Sequence, residues 1–231
     1  MTETSREAFL GAVTGALKNH KKTARPDPAT SPSHHRLADL GPEALVDHFL
    51  SQAPIRHFTG DRIQTADLAE VLKPILTRPG MNKIVICDDD MTRALDLEEA
   101  VKAAGKAPLV YRPEDYDHAS LVDLLKDANL GLTVPTYGLA DVGAVIEMAS
   151  RAIPKSFSLL PPVHISLLPL SRLYPSMSQV ADVLEDRYQK EGLTSGMNQI
   201  CGPSSTGDIE SYLVTGAHGP VEEHVFIIMD K

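Results

Sequence analysis

The sequence of 231 residues contains only two cysteines, Cys87 and Cys201. An iron–sulfur cluster usually takes four cysteine thiolates, so this chain cannot hold such a cluster by itself. No C-x-x-C pair is present, which excludes a structural zinc site built on paired cysteines. Each cysteine ends a short apolar run, and free cysteine is among the most frequently buried residue types. We therefore expect both to be buried strand residues.

Several nucleotide-binding and hydrolase motifs are also missing. The sequence has no G-x-G-x-x-G, the usual dinucleotide fingerprint, and no G-x-S-x-G, the nucleophile turn of α/β-hydrolases. Gly202 and Gly207 have the separation found in a P-loop, but Asp208 and Ile209 stand where that loop needs Lys and Ser or Thr. No H-x-x-x-H or H-E-x-x-H pattern indicates a catalytic metal, so we predict no metal site.

Charge and hydropathy exclude further classes of partner. The formal net charge is −9, whereas binding to nucleic acid needs a clustered basic surface. The longest apolar stretch, residues 159–170, is interrupted by three prolines and is too short to span a bilayer. The first residues are polar and lack the apolar core of a signal peptide. We therefore expect a cytoplasmic protein that binds neither nucleic acid nor membrane.

The spacing of apolar residues in the first segment of the chain predicts one helix, over residues 4–19. A helix of this length is not stable alone, so its apolar side must pack on its own domain or dock on another chain, for example in a homo-oligomer. Its apolar positions share one face and are Phe9, Leu10, Val13 and Leu17.

Residues 21–36 predict a linker, because they are rich in Pro, Ser, Thr, Ala and His and have almost no large apolar residue. Such a composition cannot bury a core. We therefore divide the chain into an N-terminal helix with a flexible linker, residues 1–36, and one domain, residues 37–231.

The domain predicts an α/β fold. Short apolar, β-branched runs alternate with helical patterns, which is typical of right-handed βαβ units and a parallel sheet. The predicted strands of the first half cover residues 83–87, 108–111 and 130–134, and the predicted helices cover 95–104 and 118–128. The second half predicts strands over residues 143–148, 163–168, 197–201 and 224–229, with one long helix over 176–190. We expect a mixed, largely parallel sheet with helices on both faces.

The segment 201–211 follows a predicted strand and is expected to open a helix. Three consecutive hydroxyl residues, 204–206, would then surround the first turn, where free backbone N–H groups favour an anion. Gly202 would permit a close approach of the backbone. The alternative is a simple helix cap, because Ser205 and Asp208 have the spacing of a capping box. The residues alone leave both interpretations open.

A second candidate segment, residues 132–146, runs from a strand through a loop in which Gly138 and Gly143 flank Asp141. Polar groups at the carboxyl edge of a parallel strand lie where open α/β sheets bind ligands. The alternative is a glycine-containing turn in which Asp141 caps the backbone.

His164 and His218, two of the nine histidines, lie in or beside predicted strands of the domain's second half. His218 lies in a turn before the last predicted strand, where it can face a cleft. His164 lies inside an apolar strand, and we expect a core histidine that is hydrogen-bonded to the backbone.

Five short segments match one known family, and they occur in the same order. They are 131–133 (Gly-Leu-Thr), 138–141 (Gly-Leu-Ala-Asp), 158–165 (Ser-Leu-Leu-Pro-Pro-Val-His-Ile), 202–210 (Gly-Pro-Ser-Ser-Thr-Gly-Asp-Ile-Glu) and 216–220 (Gly-Ala-His-Gly-Pro). Together they resemble the lactate-utilisation protein C family, whose shared unit is called the LUD domain. Two positions differ from the family pattern, since Ser205 replaces a basic residue and Val142 replaces a threonine.

The resemblance implies both a fold and a function. The family's fold is similar to the sugar-phosphate isomerase and CoA-transferase group. The family belongs to a three-component cytosolic system that oxidises L-lactate to pyruvate, and the companion subunits carry the iron–sulfur clusters. By this resemblance we expect a non-cluster subunit with no cofactor of its own. Because the chain lacks four thiolates and a dinucleotide fingerprint, we also expect no lactate oxidation by the chain alone.

The predicted ligand site combines the motifs with the resemblance, and no catalytic residue is assigned. Its residues are Thr133, Gly138, Asp141, Gly143, Gly202, Ser204, Ser205, Thr206 and His218. Two alternatives remain open. One is an independent enzyme or binding protein for a small carboxylate or a sugar phosphate, with the helix start at Ser204 as its anion site. The other is a structural assembly subunit.

Overall fold

The computed structural model describes residues 5–19, 37–192, 194–209 and 212–231. The chain divides into two compact units, residues 1–31 and residues 32–231. The predicted linker, residues 21–36, lies outside the described residues, so the predicted domain boundary stays a prediction. No helix in the described ranges is both long enough and apolar enough to cross a membrane.

The smaller unit contains helix α1, Arg6–Asn19, which confirms the predicted N-terminal helix. Its apolar side chains are exposed, and Phe9 and Leu17 expose 60% and 69% of their surface. A helix this short draws most of its stability from packing an apolar face rather than from its own hydrogen bonds. Helix α1 therefore exposes an apolar side, and packing this side against another surface would stabilise the helix.

Six parallel strands form the central sheet of the larger unit. In spatial order they are β3 (Leu109–Tyr111), β2 (Ile84–Cys87), β4 (Leu130–Thr133), β7 (Val163–Pro169), β12 (Glu222–Ile228) and β1 (Thr59–Ile63). The strands β2, β4 and β7 are buried along their whole length. This burial is expected of parallel strands that are covered on both faces, and it explains their apolar, β-branched composition.

Helices cover both faces of the central sheet, as predicted. One face packs against α4 (Leu68–Leu76) and α6 (Leu97–Ala103), and the other packs against α2 (Pro42–Ser51), α7 (His118–Leu125) and α8 (Ser156–Leu159). Because side chains alternate along a strand, Ile84 and Ile86 face the first group of helices, whereas Val85 and Cys87 face the second. Two short helices are α3 (Ala53–Arg56) and α5 (Asp90–Ala94). The fold class is therefore α/β, as the sequence predicted.

A second, four-stranded sheet contains strands that we expected in the central sheet. Its strands in spatial order are β8 (Leu173–Tyr174), β5 (Tyr137–Leu139), β6 (Ala144–Ala149) and β9 (Gly196–Ile200), and α9 (Met177–Glu191) packs on it. Only residues 134–136 separate β4 from β5, whereas a parallel crossover needs a dozen or more residues. The chain therefore leaves the central sheet after β4 and turns back as the antiparallel pair β5 and β6.

The segment after Gly202 forms a β-hairpin, so the predicted helix there is wrong. Its strands are β10 (Ser205–Ile209) and β11 (Tyr212–Thr215), which pair antiparallel. The segment lacks apolar residues at helical spacing, and its Thr, Ile, Tyr and Val residues favour strand pairing. The predicted capping box of Ser205 and Asp208 therefore has no helix to cap. Glu210, at the end of the motif, lies outside the described residues.

The two cysteines have different environments. Cys87 is buried in β2, as predicted, and its burial raises the pKa of the thiol well above the usual value. Cys201 lies just after β9 and is half-buried, with its thiol donating to the carbonyl oxygen of Val142 at 3.3 Å. The prediction of a buried strand residue is therefore wrong for Cys201.

Candidate functional site

The order of the six parallel strands creates a crevice at one edge of the central sheet. From β2 the chain continues to its neighbour β3, whereas from β4 it continues to β7 on the other side. In open α/β sheets, ligands bind outside the carboxyl ends of strands where the connections change direction in this way. A cleft of about 240 Å³ lies here, and we call it the switch-point cleft. Its polar side chains are Asp89, Asp90, Thr136, Ser150, Arg172 and Arg187.

Asp89 is fixed at the end of β2 because it caps α5. One carboxylate oxygen, Oδ1, accepts hydrogen bonds from the backbone N–H groups of Met91 and Thr92 at 2.8 and 3.0 Å. The other, Oδ2, accepts from the Thr92 hydroxyl at 3.0 Å. A short polar side chain is favoured at the start of a helix because it satisfies these N–H groups. The cap therefore holds a negative charge rigidly on one side of the cleft.

Arg172 supplies a half-buried positive charge on the lining of the cleft. Its Nη1 donates to the carbonyl oxygen of Pro135 at 3.1 Å, and within the described part of the chain it makes no ion pair. Burial lowers the pKa of Arg172, Asp89 acts to raise it, and the like charge of Arg187 lowers it further. A guanidinium that is partly desolvated and lacks a paired carboxylate is stabilised by an added anion. Arg172 is therefore a candidate anion-binding group of the cleft.

Two hydroxyl side chains complete the polar lining. Thr136 Oγ1 accepts from the backbone N–H of Met148 at 3.1 Å, and Ser150 Oγ accepts from the backbone N–H of Ile153 at 3.1 Å. Because a hydroxyl accepts and donates, each of them is also able to donate to a bound oxygen. The cleft can therefore hold and orient a small polar anion.

A second polar cluster is buried between the two sheets. His164 Nδ1 on β7 lies 2.8 Å from Oε2 of Glu223 on β12, and its Nε2 lies 2.9 Å from Oγ1 of Thr133 on β4. Thr133 donates to Oε1 of Glu147 on β6 at 2.5 Å. All four side chains are buried. This buried network therefore joins the second sheet to three neighbouring strands of the central sheet.

The buried network is charged. Burial acts to lower the pKa of His164, but Glu223 and Glu147 outweigh burial and raise that pKa to about 10. His164 is therefore an imidazolium at neutral pH and donates from both ring nitrogens. Burial also acts to raise the pKa of Glu147, yet His164 and the hydroxyls of Ser158 and Thr133 hold it below its usual value. The pKa of Glu223 is raised, because its burial outweighs the attraction of His164.

The order of carboxylate, imidazole and hydroxyl in this network is that of a catalytic triad, but no substrate reaches it. His164 is fully buried and Thr133 exposes only 2% of its surface. Among the residues that the structure describes, no group of His, Cys, Asp and Glu is arranged to hold a metal ion. The network therefore holds strands together in this conformation rather than contacting a ligand.

The residues predicted to form one ligand site lie in separate places. Thr133 belongs to the buried network. Gly138 lies in β5, where an added Cβ would approach the Leu168 side chain to 2.4 Å. Asp141 follows the β5 strand and donates its backbone N–H to the carbonyl oxygen of Pro175 at 3.0 Å. Gly143 has a φ of +62° and lies beside Gln52, so an L side chain there would be strained.

The hairpin motif lies at the amino edge of the central sheet, opposite the switch-point cleft. Ser204 donates its backbone N–H to the carbonyl oxygen of Pro220, two residues before β12, and its hydroxyl accepts from the backbone N–H of His218 at 3.2 Å. The structure thus brings Ser204 and His218 together, and Ser205 and Thr206 continue into β10. An anion site at a helix N-terminus is therefore wrong here, while ligand contacts of these residues stay a prediction.

The sequence did not predict the charged residues of the switch-point cleft or the two glutamates of the buried network. Arg172 and Arg187 lie far in sequence from Asp89, so only the tertiary fold shows that they share a cleft. Glu147 interrupts an otherwise apolar buried strand, which is the signal that could have found it, because a buried charge needs a partner. His164 is a core histidine, as predicted, but its partners are side chains and not the backbone.

The fold and the motifs agree with a comparison against known families. Residues 46–228, which are most of the chain, match the profile of the LUD domain. The chain belongs to the LUD domain family. The LUD match covers every strand of both sheets.

Individual relatives extend the similarity along the whole chain. A protein of Anoxybacillus flavithermus named "Lactate utilization protein C" is 27% identical over 227 residues, which are 97% of this chain and 100% of the relative. A protein of Bacillus subtilis with the same name is 26% identical over 98% of this chain and 97% of the relative. A crystal structure of a DUF162 family protein from Deinococcus radiodurans covers 82% of this chain and 99% of its own, with a TM-score of 0.55 and 15% identity. This last likeness supports the fold alone.

Proposed function

We propose that this chain is a non-cluster subunit of a cytoplasmic L-lactate utilisation system that oxidises L-lactate to pyruvate together with iron–sulfur partner subunits. The observation that carries the proposal is the end-to-end match with relatives named "Lactate utilization protein C". A match over the full length of both chains includes every domain that the relatives have. It therefore supports a common role better than a match to one shared domain does.

The residues of this chain support a binding role rather than a role in electron transfer. Its two cysteines are too few for a four-thiolate cluster, so the proposal assigns the clusters to partner subunits. Arg172 in the switch-point cleft offers the charge that a carboxylate substrate or product needs. The chain would thus bind or position a small acid while a partner removes its electrons.

Helix α1 has a place in this proposal as an assembly contact. Its exposed apolar stripe suits docking on a partner subunit or on a second copy of this chain. Deleting residues 1–36 should leave the larger unit folded, as seen by circular dichroism, and weaken co-purification with the iron–sulfur subunits. Unfolding of the truncated protein would contradict this role.

Reconstitution tests the proposed function. L-lactate oxidation is measured with an artificial electron acceptor, using purified iron–sulfur subunits with and without this chain. The proposal predicts a colourless isolated chain without activity and a marked increase in rate when the chain is added. A matched control adds the same amount of heat-unfolded chain. An unchanged rate with the folded chain would contradict the proposal.

The alternative of an independent small-acid binding protein keeps one supporting observation, the half-buried Arg172. For both the small carboxylate and the sugar phosphate, this alternative relied on a helix N-terminus at Ser204, and that residue precedes a strand. Co-purification separates the two functions, because an independent binding protein would be isolated without iron–sulfur subunits.

A further inference from the structure

The switch-point cleft contains charges of both signs. Arg172 and Arg187 contribute two guanidinium groups, and Asp89 and Asp90 contribute two carboxylates. Asp90 is already paired with Arg93, whose Nη2 lies 2.5 Å from Oδ1. A ligand that suits this cleft must therefore have an anionic end for the guanidinium side and must avoid a second negative charge on the acidic side.

The anionic end fits a carboxylate. A guanidinium binds a carboxylate through two parallel hydrogen bonds, and this geometry adds specificity to the charge attraction. One of the five N–H groups of Arg172 is used by Pro135, which leaves part of its donor fork for a ligand. Its position beside Arg187 strengthens the effect, because an anion between two like charges relieves their repulsion.

The acidic side of the cleft selects for a hydrogen-bond donor. The Asp89 carboxylate accepts three hydrogen bonds from Met91 and Thr92, and a carboxylate has about four lone-pair sites. It can thus accept one more bond, from a ligand hydroxyl. A ligand oxygen that is only an acceptor, such as a keto group or a second anionic oxygen, would face this carboxylate without a proton to share.

The volume of the cleft limits the ligand further. Pockets for drug-sized ligands have roughly 300–1,000 Å³. The switch-point cleft, at about 240 Å³, is smaller than this range. Its ligand is therefore an acid of a few carbon atoms.

We propose that the switch-point cleft binds a small 2-hydroxycarboxylate, with its carboxylate on Arg172 and its hydroxyl donating to the Asp89 side. The proposal rests on the proposed function only in its choice of L-lactate as the test ligand. It distinguishes a 2-hydroxy acid from the matching 2-oxo acid, because only the 2-hydroxy acid has a hydroxyl that can donate to the Asp89 carboxylate.

Calorimetric titration of the full chain with a series of ligands tests this inference. The ligands are L-lactate, pyruvate, propionate and inorganic phosphate, all at one ionic strength. L-lactate is expected to bind at least about tenfold more tightly than pyruvate or propionate, because only its hydroxyl can donate to a charged acceptor. Equal or tighter binding of pyruvate or phosphate would overturn the inference, and so would the absence of lactate binding.

Variants locate the binding site. Arg172→Gln should abolish lactate binding, and Arg172→Lys should weaken it because the two parallel hydrogen bonds are lost. Arg62→Gln is the matched control, since Arg62 is on the edge strand β1 and pairs with the exposed Glu43 and Asp47. If Arg172→Gln does not fold, the test uses Arg187→Gln, which should weaken lactate binding, together with the ligand series on the wild-type chain. Lactate binding that survives in a folded Arg172→Gln variant would overturn the inference.

The calorimetry and the reconstitution fail independently. A chain that raises the rate of lactate oxidation but does not bind lactate alone would retain the proposed function and refute the cleft assignment. A chain that binds lactate through Arg172 but leaves the oxidation rate unchanged would retain the cleft assignment and refute the subunit role.

Discussion

His164 and Glu223 form a hydrogen-bonded ion pair between adjacent parallel strands, with 2.8 Å between Nδ1 and Oε2 and both side chains buried. On its other side, His164 contacts Thr133, which bonds to Glu147. One imidazolium thus lies between two carboxylates that come from different sheets. The stability of the larger unit therefore depends on this histidine.

Replacing His164 by Gln should destabilise the fold by about 3–5 kcal/mol, because it leaves two buried carboxylates without their positive partner. The free energy of unfolding, measured by urea denaturation, checks this. His118→Gln is the control, since His118 is exposed at the start of α7. If His164→Gln lowers the free energy of unfolding by less than about 1 kcal/mol, the buried network contributes little to stability.

The same histidine predicts an alkaline loss of stability. The pKa of His164 is near its ordinary value of about 6.5 in the unfolded chain and is raised to about 10 in the folded chain. The folded state therefore binds the proton more tightly, and the stabilisation is complete below about pH 6.5 and is lost as the pH rises towards 10. The loss amounts to at most about 1.4 kcal/mol per pH unit.

Measuring the free energy of unfolding at pH 7, 8 and 9 in wild type and His164→Gln isolates this effect. The Cys87 thiol, whose pKa is raised well above its usual value in the folded state, contributes to the pH dependence of both proteins and cancels in the difference. The difference between the proteins should shrink as the pH rises. A difference that stays constant from pH 7 to pH 9 would mean that His164 keeps the same charge throughout.

Gly202 should not tolerate a side chain, because the backbone there has a φ of +85° and an added Cβ would lie 1.8 Å from the carbonyl oxygen of Arg56. Gly202→Ala should lower the free energy of unfolding by about 1–3 kcal/mol, the usual range for a residue with a strained backbone. Gly207→Ala is the comparison, since no described heavy atom lies within 4 Å of a Cβ added there. Thermal unfolding of both variants checks this, and equal melting temperatures would contradict it.

Ser205→Arg restores the basic residue of the family motif, and the structure predicts no gain in the binding of small acids. Ser205 is exposed and begins β10 at the amino edge of the sheet, whereas the switch-point cleft lies at the carboxyl edge. Calorimetry with L-lactate should give the same affinity for this variant as for wild type. Tighter binding would place the ligand at the hairpin instead.

The local sequence pattern predicted the central strands because their apolar, β-branched runs need no distant information. Ile84–Cys87 and Leu130–Thr133 are buried on both faces, and such runs are typical of parallel strands. The segment after Gly202 was predicted wrongly, since its capping spacing is local while the pairing of Thr206 with Val214 is set by the tertiary fold. Local signals of this kind are routinely overridden by tertiary contacts.

The candidate site was harder to predict than the fold, because its residues are distant in sequence. Asp89 follows β2 and Arg172 follows β7, and the order of the strands in the central sheet brings both residues to one cleft. The family motifs instead drew attention to Ser204 and His218, which the structure places together at the opposite edge. The sequence therefore grouped Ser204 with His218 correctly, but it placed them in one site with Thr133 and Asp141, and only the topology of the sheet reveals the switch-point cleft.

Growth on L-lactate as the sole carbon source tests the central claim most directly. A strain of the source organism that lacks this gene is complemented with wild type, Arg172→Gln or the Arg62→Gln control. We predict that the deletion strain does not grow on L-lactate, that wild type and Arg62→Gln restore growth, and that Arg172→Gln does not. Growth of the deletion strain on L-lactate at the parental rate would contradict a role of this chain in lactate utilisation.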